Sequence, residues 1–256
     1  MGAHVFYFID MKGLILAGGK ATRLRPLTWV TNKHLLPVFN KPMIYYAIES
    51  MQRAGIKDVL ITSSAEHLSH FVNLLKSGRE FDLRLTYAVQ EDAGGGIAQA
   101  IALAEEFSGG DKILVLLGDN IFNHDLKNAV VDFESQEKGA KVFAKRMPTD
   151  NKQYGVIELD RHNKVVSIEE KPEKPKSDLA QTGIYMYDRR VYHFIKTLKP
   201  SGRGELEVTD LNNKYLEEGS MTCEIMDGWW IDAGTSFDEL LRANNLVAEL
   251  VQSGNS

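Results

Sequence analysis

An α/β architecture, three layers deep around a mostly parallel central sheet with a strand-rich second half, is the fold class this sequence predicts. Two observations carry it. Up to about residue 140, short wholly apolar runs alternate with segments whose apolar residues recur at helical spacing. That alternation builds a parallel sheet with helices on both faces. Beyond residue 140, strand-like runs follow one another with only short connections, so the second half adds strands rather than strand–helix units.

The elements follow in order. LILA (14–17), VLIT (59–62), LRLTYA (83–88) and KILVLL (112–117) read as buried strands. Between them MIYYAIESMQRAG (43–55), HLSHFVNLLKSG (67–78) and IAQAIALAEEF (97–107) read as helices, with Gly55 and Gly78 as C-terminal stops. A further helix starts from Leu126, with Asp125 placed to cap it. KVFAKR (141–146), YGVIEL (154–159), KVVSIEE (164–170) and QTGIYMYD (181–188) are strands. Helical patterns return at 190–197 and 207–218, then come CEIM, a WWID strand, and a last helix from about Ser236 to Gln252. Neither an internal repeat nor a low-complexity linker interrupts the chain, and KPEKPK (171–176) reads as an ordered surface loop. Right-handed crossovers gather the strand-to-helix loops along one edge of the sheet, where the glycine loop after 14–17 and the GDN after 112–117 both fall.

Bulk properties narrow the function classes. At 256 residues, 43% hydrophobic and 25% charged, the chain has the composition of a soluble globular protein with a substantial core. A net charge of -5 argues against non-specific nucleic-acid binding but not against anionic small ligands. Cys223 stands alone, so no disulfide framework exists and a reducing cytoplasm is the expected location. No run approaches the ~18 apolar residues of a membrane span. The opening MGAHVFYFID (1–10) precedes a second methionine, Met11, and lacks a signal peptide's cationic start and longer apolar core. It reads as an upstream start or an added remnant, with 11–256 forming one domain.

The chemistry concentrates at a few places. In LILAGGKATRLRPLTWVTNKHLLP (14–37), two adjacent glycines after a buried strand let backbone N–H groups approach an anion, and Arg23 and Lys33 add charge. It is not a Walker loop, because Gly19 stands where that motif needs Lys, and it does not spell G-x-G-x-x-G. Thr22 is expected to support the loop. Asp119 in LGDN (117–120) lies at the carboxyl end of a buried strand, suited to Mg2+ with phosphate oxygens completing the shell. Asp232 in WWIDAGT (229–235) is a second carboxylate for the same ion, since Thr235 or Ser236 caps the last helix more naturally. Trp229 is assigned to the core ahead of the ligand wall. EEKP (169–172) pairs acids that can accept sugar hydroxyls with Lys171, and SGRGELEVTD (201–210) offers Arg203 to a phosphate or to a turn. The seven histidines form no local triad or metal motif, which suits a reaction whose nucleophile is already an anion and needs alignment and neutralisation rather than a base.

Together KGLILAGGKATRLRPLT, NKHLLP, KPMIYYAIESMQRAGI, GIAQA, LGDNIF, YGV, EEKP, KPSGRGELEVTDLNNKYLEEG and W-I-D-A-G-T, in this order across 12–240, resemble the sugar-1-phosphate nucleotidyltransferases, most closely the glucose-1-phosphate thymidylyltransferases. The resemblance implies a Rossmann-like nucleotide-diphospho-sugar transferase fold. It also implies the reaction of dTTP with glucose 1-phosphate to give dTDP-glucose and pyrophosphate, an early step toward deoxysugars of the rhamnose type. Leu16, Gly18, Gly19 and Arg23 would hold the nucleotide's triphosphate side, and Gln90, Gly95 and Gly96 its base. Asp119 and Asp232 would hold Mg2+. Asn120, Tyr154, Gly155, Glu170, Lys171, Gln181, Arg203 and Trp230 would line the sugar phosphate, with Arg23, Lys33, Lys171 and Asp119 catalytic. A homodimer or homotetramer is the implied assembly.

Three departures from the family pattern stand out. The QEDAGGGIAQA loop is one residue longer than usual between Gln and Gly, Gln181 replaces a usual Val beside the sugar, and the chain stops soon after the helix that follows DAGT. The last implies a short form lacking the regulatory extension, which leaves end-product feedback an open question. UTP in place of dTTP stays open as the nucleotide. So do two other classes: a glycosyltransferase of similar fold, in which GDN stands in for a metal-binding acidic motif, and a nucleotide-sugar-binding regulatory subunit without catalysis.

Overall fold

A computed structural model of the chain describes residues 9–92, 94–147 and 151–254. Most of the opening segment expected to be an upstream start or added remnant, and Ala93 in the lengthened glycine loop, lie outside these residues. The first half builds β1 (Lys12–Leu16), a small hairpin of β2 (Pro37–Val38) and β3 (Lys41–Pro42), α1 (Ile44–Arg53), β4 (Asp58–Ser63), α2 (Ala65–Leu75), β5 (Arg84–Val89), α3 (Ile97–Ala102), α4 (Glu105–Ser108), β6 (Ile113–Leu117), β7 (Asn120–Phe122) and α5 (Lys127–Ser135). The second half adds β8 (Ala140–Arg146), β9 (Gly155–Leu159), β10 (Val165–Glu170), β11 (Leu179–Tyr187), α6 (Val191–Thr197), α7 (Val208–Glu217), β12 (Met221–Ile225), β13 (Trp230–Asp232) and α8 (Phe237–Gln252).

The main sheet runs β10-β9-β11-β6-β1-β4-β5, with β8 against β11 and β12 against β8. β1, β4, β5 and β6 are parallel, whereas β11 joins β6, β8 and β9 antiparallel. Because strand side chains alternate, β1, β4 and β6 serve both faces, whereas β5, expected to be buried, is the edge strand and is partly exposed along its length. Ile15, Ile61, Leu114 and Leu116 join α1, α2 and α5 through Ile44, Ile48, Phe71, Val130 and Phe133. Leu14, Leu16, Leu60, Ile113 and Val115 join α3, α6 and α7 through Ala98, Ile101, Val191, Ile195, Leu211 and Tyr215. This two-sided burial, worth about 1.5–3 kcal/mol for each large aliphatic side chain, is why these strands carry no polar alternation.

The chain leaves β1 toward β4 and β5 on one side and returns with β6 on the other. Ligand sites of open α/β sheets lie at such a reversal, outside the carboxyl ends of the strands. Here the ends are locked together: Leu16 is in register with Leu117, and the Gly118 N–H donates to the Leu16 carbonyl at 3.0 Å.

The expected helix over 97–107 is two pieces, α3 and α4, separated at Leu103–Ala104. At the break the Ala104 N–H turns to Ile101, and the Tyr192 hydroxyl from α6 donates to the Ala104 carbonyl at 3.1 Å. Asp125 and Ser236 act as the caps expected of them, accepting from Lys127 N at 2.9 Å and Glu239 N at 3.1 Å.

Candidate active site

A cleft of about 390 Å³ opens over the carboxyl ends of β1 and β6. The end that holds Asp119 and Asp232 is built by a two-stranded ribbon apart from the main sheet. β13 pairs antiparallel with β7, Asp232 opposite Asn120, and the Ala233 N–H donates to the Asp119 carbonyl at 3.0 Å. Carboxylates 113 positions apart in sequence are thereby neighbours in space. Beneath the ribbon Ile121 and Ile231, each 1% exposed, pack with Leu24, Leu36, Val38 and Met43 and with Leu240, Ala243 and Val247 of α8. Glycine at 234 is required by a close approach. A Cβ there would collide with Asp119 Oδ2 and stand 2.9 Å from Lys33 Nζ.

Lys33 reaches this place from a single 3-10 turn, Lys33–Leu35, whose N-cap is Asn32. The Asn32 Oδ1 accepts from His34 N at 2.9 Å and contacts His34 Nδ1 at 2.7 Å, while its Nδ2 donates to the Ala17 carbonyl at 3.1 Å. So the NKH triplet is tied to the end of β1, and the Lys33 ammonium donates to Asp119 Oδ2. Burial opposes the charge on Lys33, yet Asp119 and Asp232 outweigh it and raise its pKa. Burial likewise works against the Asp119 carboxylate, but Lys33, His34 and Asn120 hold it below the usual range. Asp232 goes the other way: burial, then the neighbouring Asp119 charge, push it up to about 6. Two carboxylates thus share one lysine, and the second lacks full neutralisation. Hard oxygen donors of this kind suit a divalent cation that completes its shell with phosphate and water, and Mg2+ fits the donor set.

The glycine loop lies beside this pair. Gly18 and Gly19 line the cleft, and Arg23 stands exposed at its rim without a hydrogen bond or ion pair among the described residues. Its charge still acts on Lys33 and Asp232. The support expected of Thr22 comes instead from Thr28, whose hydroxyl donates to the Ala21 carbonyl at 2.8 Å. Thr22 itself is exposed because the 3-10 turn Thr22–Leu24 points Leu24 inward. Ala21 holds a left-handed backbone, φ 45°.

Of the residues expected to meet the base, Gln90 ends β5's course, 6% exposed, and its Nε2 donates to Gln99 Oε1 of α3 at 3.2 Å. Gly94 and Gly96 line the cleft. Gly95 does not; its carbonyl accepts from Leu206 N at 3.0 Å, because the glycine run is stitched to the segment ahead of α7.

The residues expected at the sugar phosphate also line the cleft. Tyr154 and Trp230 meet edge to face with centroids 5.2 Å apart. Trp230 Nε1 and the Gly183 N–H both donate to Asn120 Oδ1, at 2.7 and 2.8 Å, and Asn120 Nδ2 donates to Asp119 Oδ1 at 3.2 Å. Asn120 and the Trp230 N–H are therefore engaged in building the wall. Glu170 accepts from the Thr209 hydroxyl at 2.9 Å and faces Lys171 at 3.4 Å and Arg203 at 3.8 Å. Lys171, φ 45°, is exposed and anchored by its N–H on the Tyr154 carbonyl. Arg203 is committed chiefly to Glu207 at 3.0 Å. Trp229, expected in the core, is only partly buried against the cluster beneath the ribbon.

Every site residue expected from the sequence lines this one cleft except Gly95. Sequence reasoning missed Gln99, Tyr185 and Glu207, whose roles depend on which side chains they meet rather than on any motif.

Residues 12–249 match the family model described as Nucleotidyl transferase. The chain belongs to the nucleotidyl transferase family. A glucose-1-phosphate thymidylyltransferase of Neisseria meningitidis is 46% identical over 228 residues, 88% of this chain and 78% of the relative. One of Mycolicibacterium smegmatis is 41% identical over 93% of this chain and 82% of the relative. Among solved structures, a candidate glucose-1-phosphate thymidylyltransferase from Bacillus anthracis in complex with sucrose matches at TM-score 0.87 and 50% identity, covering 92% of this chain and 94% of that one. A UDP-glucose pyrophosphorylase complexed with UDP-glucose matches at TM-score 0.80 and 24% identity, covering 93% and 98%; at that identity the likeness is one of fold. The architecture is the nucleotide-diphospho-sugar transferase fold, and enzymes of this family generally use a divalent metal ion.

Proposed function

We propose that this nucleotidyltransferase makes dTDP-glucose and pyrophosphate from dTTP and glucose 1-phosphate. The observation that carries the reading is the placement of Lys33, Asp119 and Asp232 at the centre of a cleft with the glycine loop and Arg23 on one side and Glu170–Lys171 on the other. The thymidylyltransferase relatives at 40–46% identity support the choice of nucleotide and sugar phosphate.

The sugar phosphate oxygen attacks the α-phosphorus of dTTP in line. A P–O bond forms there as the bond to the β-phosphate oxygen breaks, and pyrophosphate leaves. Mg2+ at Asp119 and Asp232, when bound, supplies charge neutralisation for the triphosphate. Bringing two polyanions together is the main obstacle. Two unit charges at ~4 Å still repel by ~4 kcal/mol at an effective dielectric near 20. Lys171 holds the sugar phosphate, Arg23 at the rim meets the charge moving through the α-phosphate, and Lys33 keeps Asp119 ionised and in place. No general base is needed. His34, the histidine lining the cleft, is kept neutral by burial and by Lys33, its pKa lowered to about 3.

A matrix of dTTP, UTP, CTP, ATP and GTP against several sugar 1-phosphates, read as pyrophosphate release, tests this. The highest kcat/KM is expected for dTTP with glucose 1-phosphate. A protein that binds these compounds and releases no pyrophosphate from any pair overturns the reading.

A further inference from the structure

β11 is buried along its whole length and forms the floor of the sugar end of the cleft. Its pairing with β8 is irregular at one place: Gln181 is opposite Ala144 but Tyr185 is opposite Val142, so extra residues bulge between them. Bulges beside active sites re-aim side chains. Here Gln181 and Tyr185 both line the cleft, four positions apart on either side of the bulge. Gln181 is 6% exposed, and its Oε1 is buried without any hydrogen-bond partner. A buried acceptor left open costs free energy, and in a native cleft it calls for an explanation.

The surroundings of Oε1 supply one. Gly155 lies beside it at the end of β9, the strand that pairs with β11, and a Cβ on that residue would stand 3.1 Å from Oε1. A methyl there would crowd the carbonyl, and Glu170, paired with Gly155 across β9 and β10, lines the cleft next to it together with Lys171. Those neighbours are themselves paired or anchored, so the donor that completes Oε1 must arrive with the substrate.

We propose that Gln181 is a specificity-determining residue whose Oε1 accepts a hydrogen bond from one ring hydroxyl of the sugar 1-phosphate. This deepens the proposed reaction and rests on it. A site built to hold a hydroxyl rejects the analogue lacking it, because the buried acceptor is then left open again. An aliphatic side chain at 181 accepts both sugars nearly alike.

The test compares the wild type with Gln181→Met, which keeps length and bulk, and Gln181→Leu as a second variant. Glucose 1-phosphate and its 2-, 3-, 4- and 6-deoxy analogues are assayed with dTTP by pyrophosphate release. In the wild type, one analogue is expected to lose roughly 10–100-fold in kcat/KM through this contact. In both variants, that loss should shrink to within about threefold while discrimination at the other positions persists. A general structural defect would lower all rates together and leave the ratios unchanged. Unchanged ratios for every analogue overturn the assignment of Gln181 alone. A wild type inert toward every sugar overturns the proposed reaction and this inference with it.

Discussion

At the scale of single residues, the site is an arrangement of charge around one partly neutralised carboxylate pair. Lys33 serves Asp119 and, through space, Asp232. Arg23 bonds neither and reaches Asp232 only through its charge, and its lack of a hydrogen bond or ion pair among the described residues sets it apart from Arg203, which Glu207 already holds. This contrast makes a prediction. Arg23→Ala removes no packing, so thermal stability should stay within ~0.5 kcal/mol of wild type. Its kcat for pyrophosphate release should fall about 100-fold or more, with KM for glucose 1-phosphate changing far less. A kcat within a factor of three of wild type would remove Arg23 from the transfer step. Most of these residues were legible because each sits in a motif whose chemistry is local: glycines beside a basic residue, an Asp at a strand end, a Lys after paired acids. Thr28 and Glu207 were not legible, since a hydroxyl or carboxylate that supports another residue carries no spacing of its own. Gln181 was legible only as a departure; its open Oε1 needed the bulge in β11 to be seen.

At the scale of elements, the β7/β13 ribbon turns a sequence into a site. The WWID run reads as a strand, but its partner is only three residues long, Asn120–Phe122, too short for any periodicity to announce. The 3-10 turns that deliver Arg23 and Lys33 were also invisible, because single turns leave no repeat. The ribbon rests on Ile121 and Ile231, which stand opposite each other and belong to the cluster beneath it. Ile231→Ala should therefore cost about 2–5 kcal/mol in urea unfolding. The folded variant should also turn over more slowly, as Asp119 and Asp232 lose their fixed spacing. A loss under ~1 kcal/mol with normal turnover would show that the ribbon does not depend on this packing. The α3–α4 break shows the opposite limit of pattern reading. Ala, Leu and Glu favour helix throughout 97–107, and only the tertiary contact from Tyr192 marks where the helix is interrupted.

At the scale of the whole molecule, the alternation of buried strands and helices was enough to place the cleft, because a parallel sheet that reverses around β1 has one crevice at its carboxyl edge. The antiparallel arrival of β11 beside β6 was not readable from patterning; a strand buried on both faces looks the same in either direction. The same burial ties global stability to pH through His34, 1% exposed, beside Lys33 and Asp119. Burial first, then Lys33, push its folded pKa down to about 3, below the ~6.5 of an unfolded histidine. Between those values the unfolded chain takes up a proton that the folded one refuses, so stability falls as pH drops through this window, by up to ~1.4 kcal/mol per pH unit. Denaturant titrations from pH 6 to 4 should show a shallower slope for His34→Gln than for wild type; equal slopes would mean His34 titrates alike in both states. Transfer at the α-phosphate is put to the test with dTTP labelled at that phosphorus, incubated with glucose 1-phosphate and Mg2+. The label should appear in a dTDP-sugar, matched one for one by pyrophosphate. Label recovered in dTDP with release of inorganic phosphate, or in dTMP without a nucleotide sugar, would contradict it.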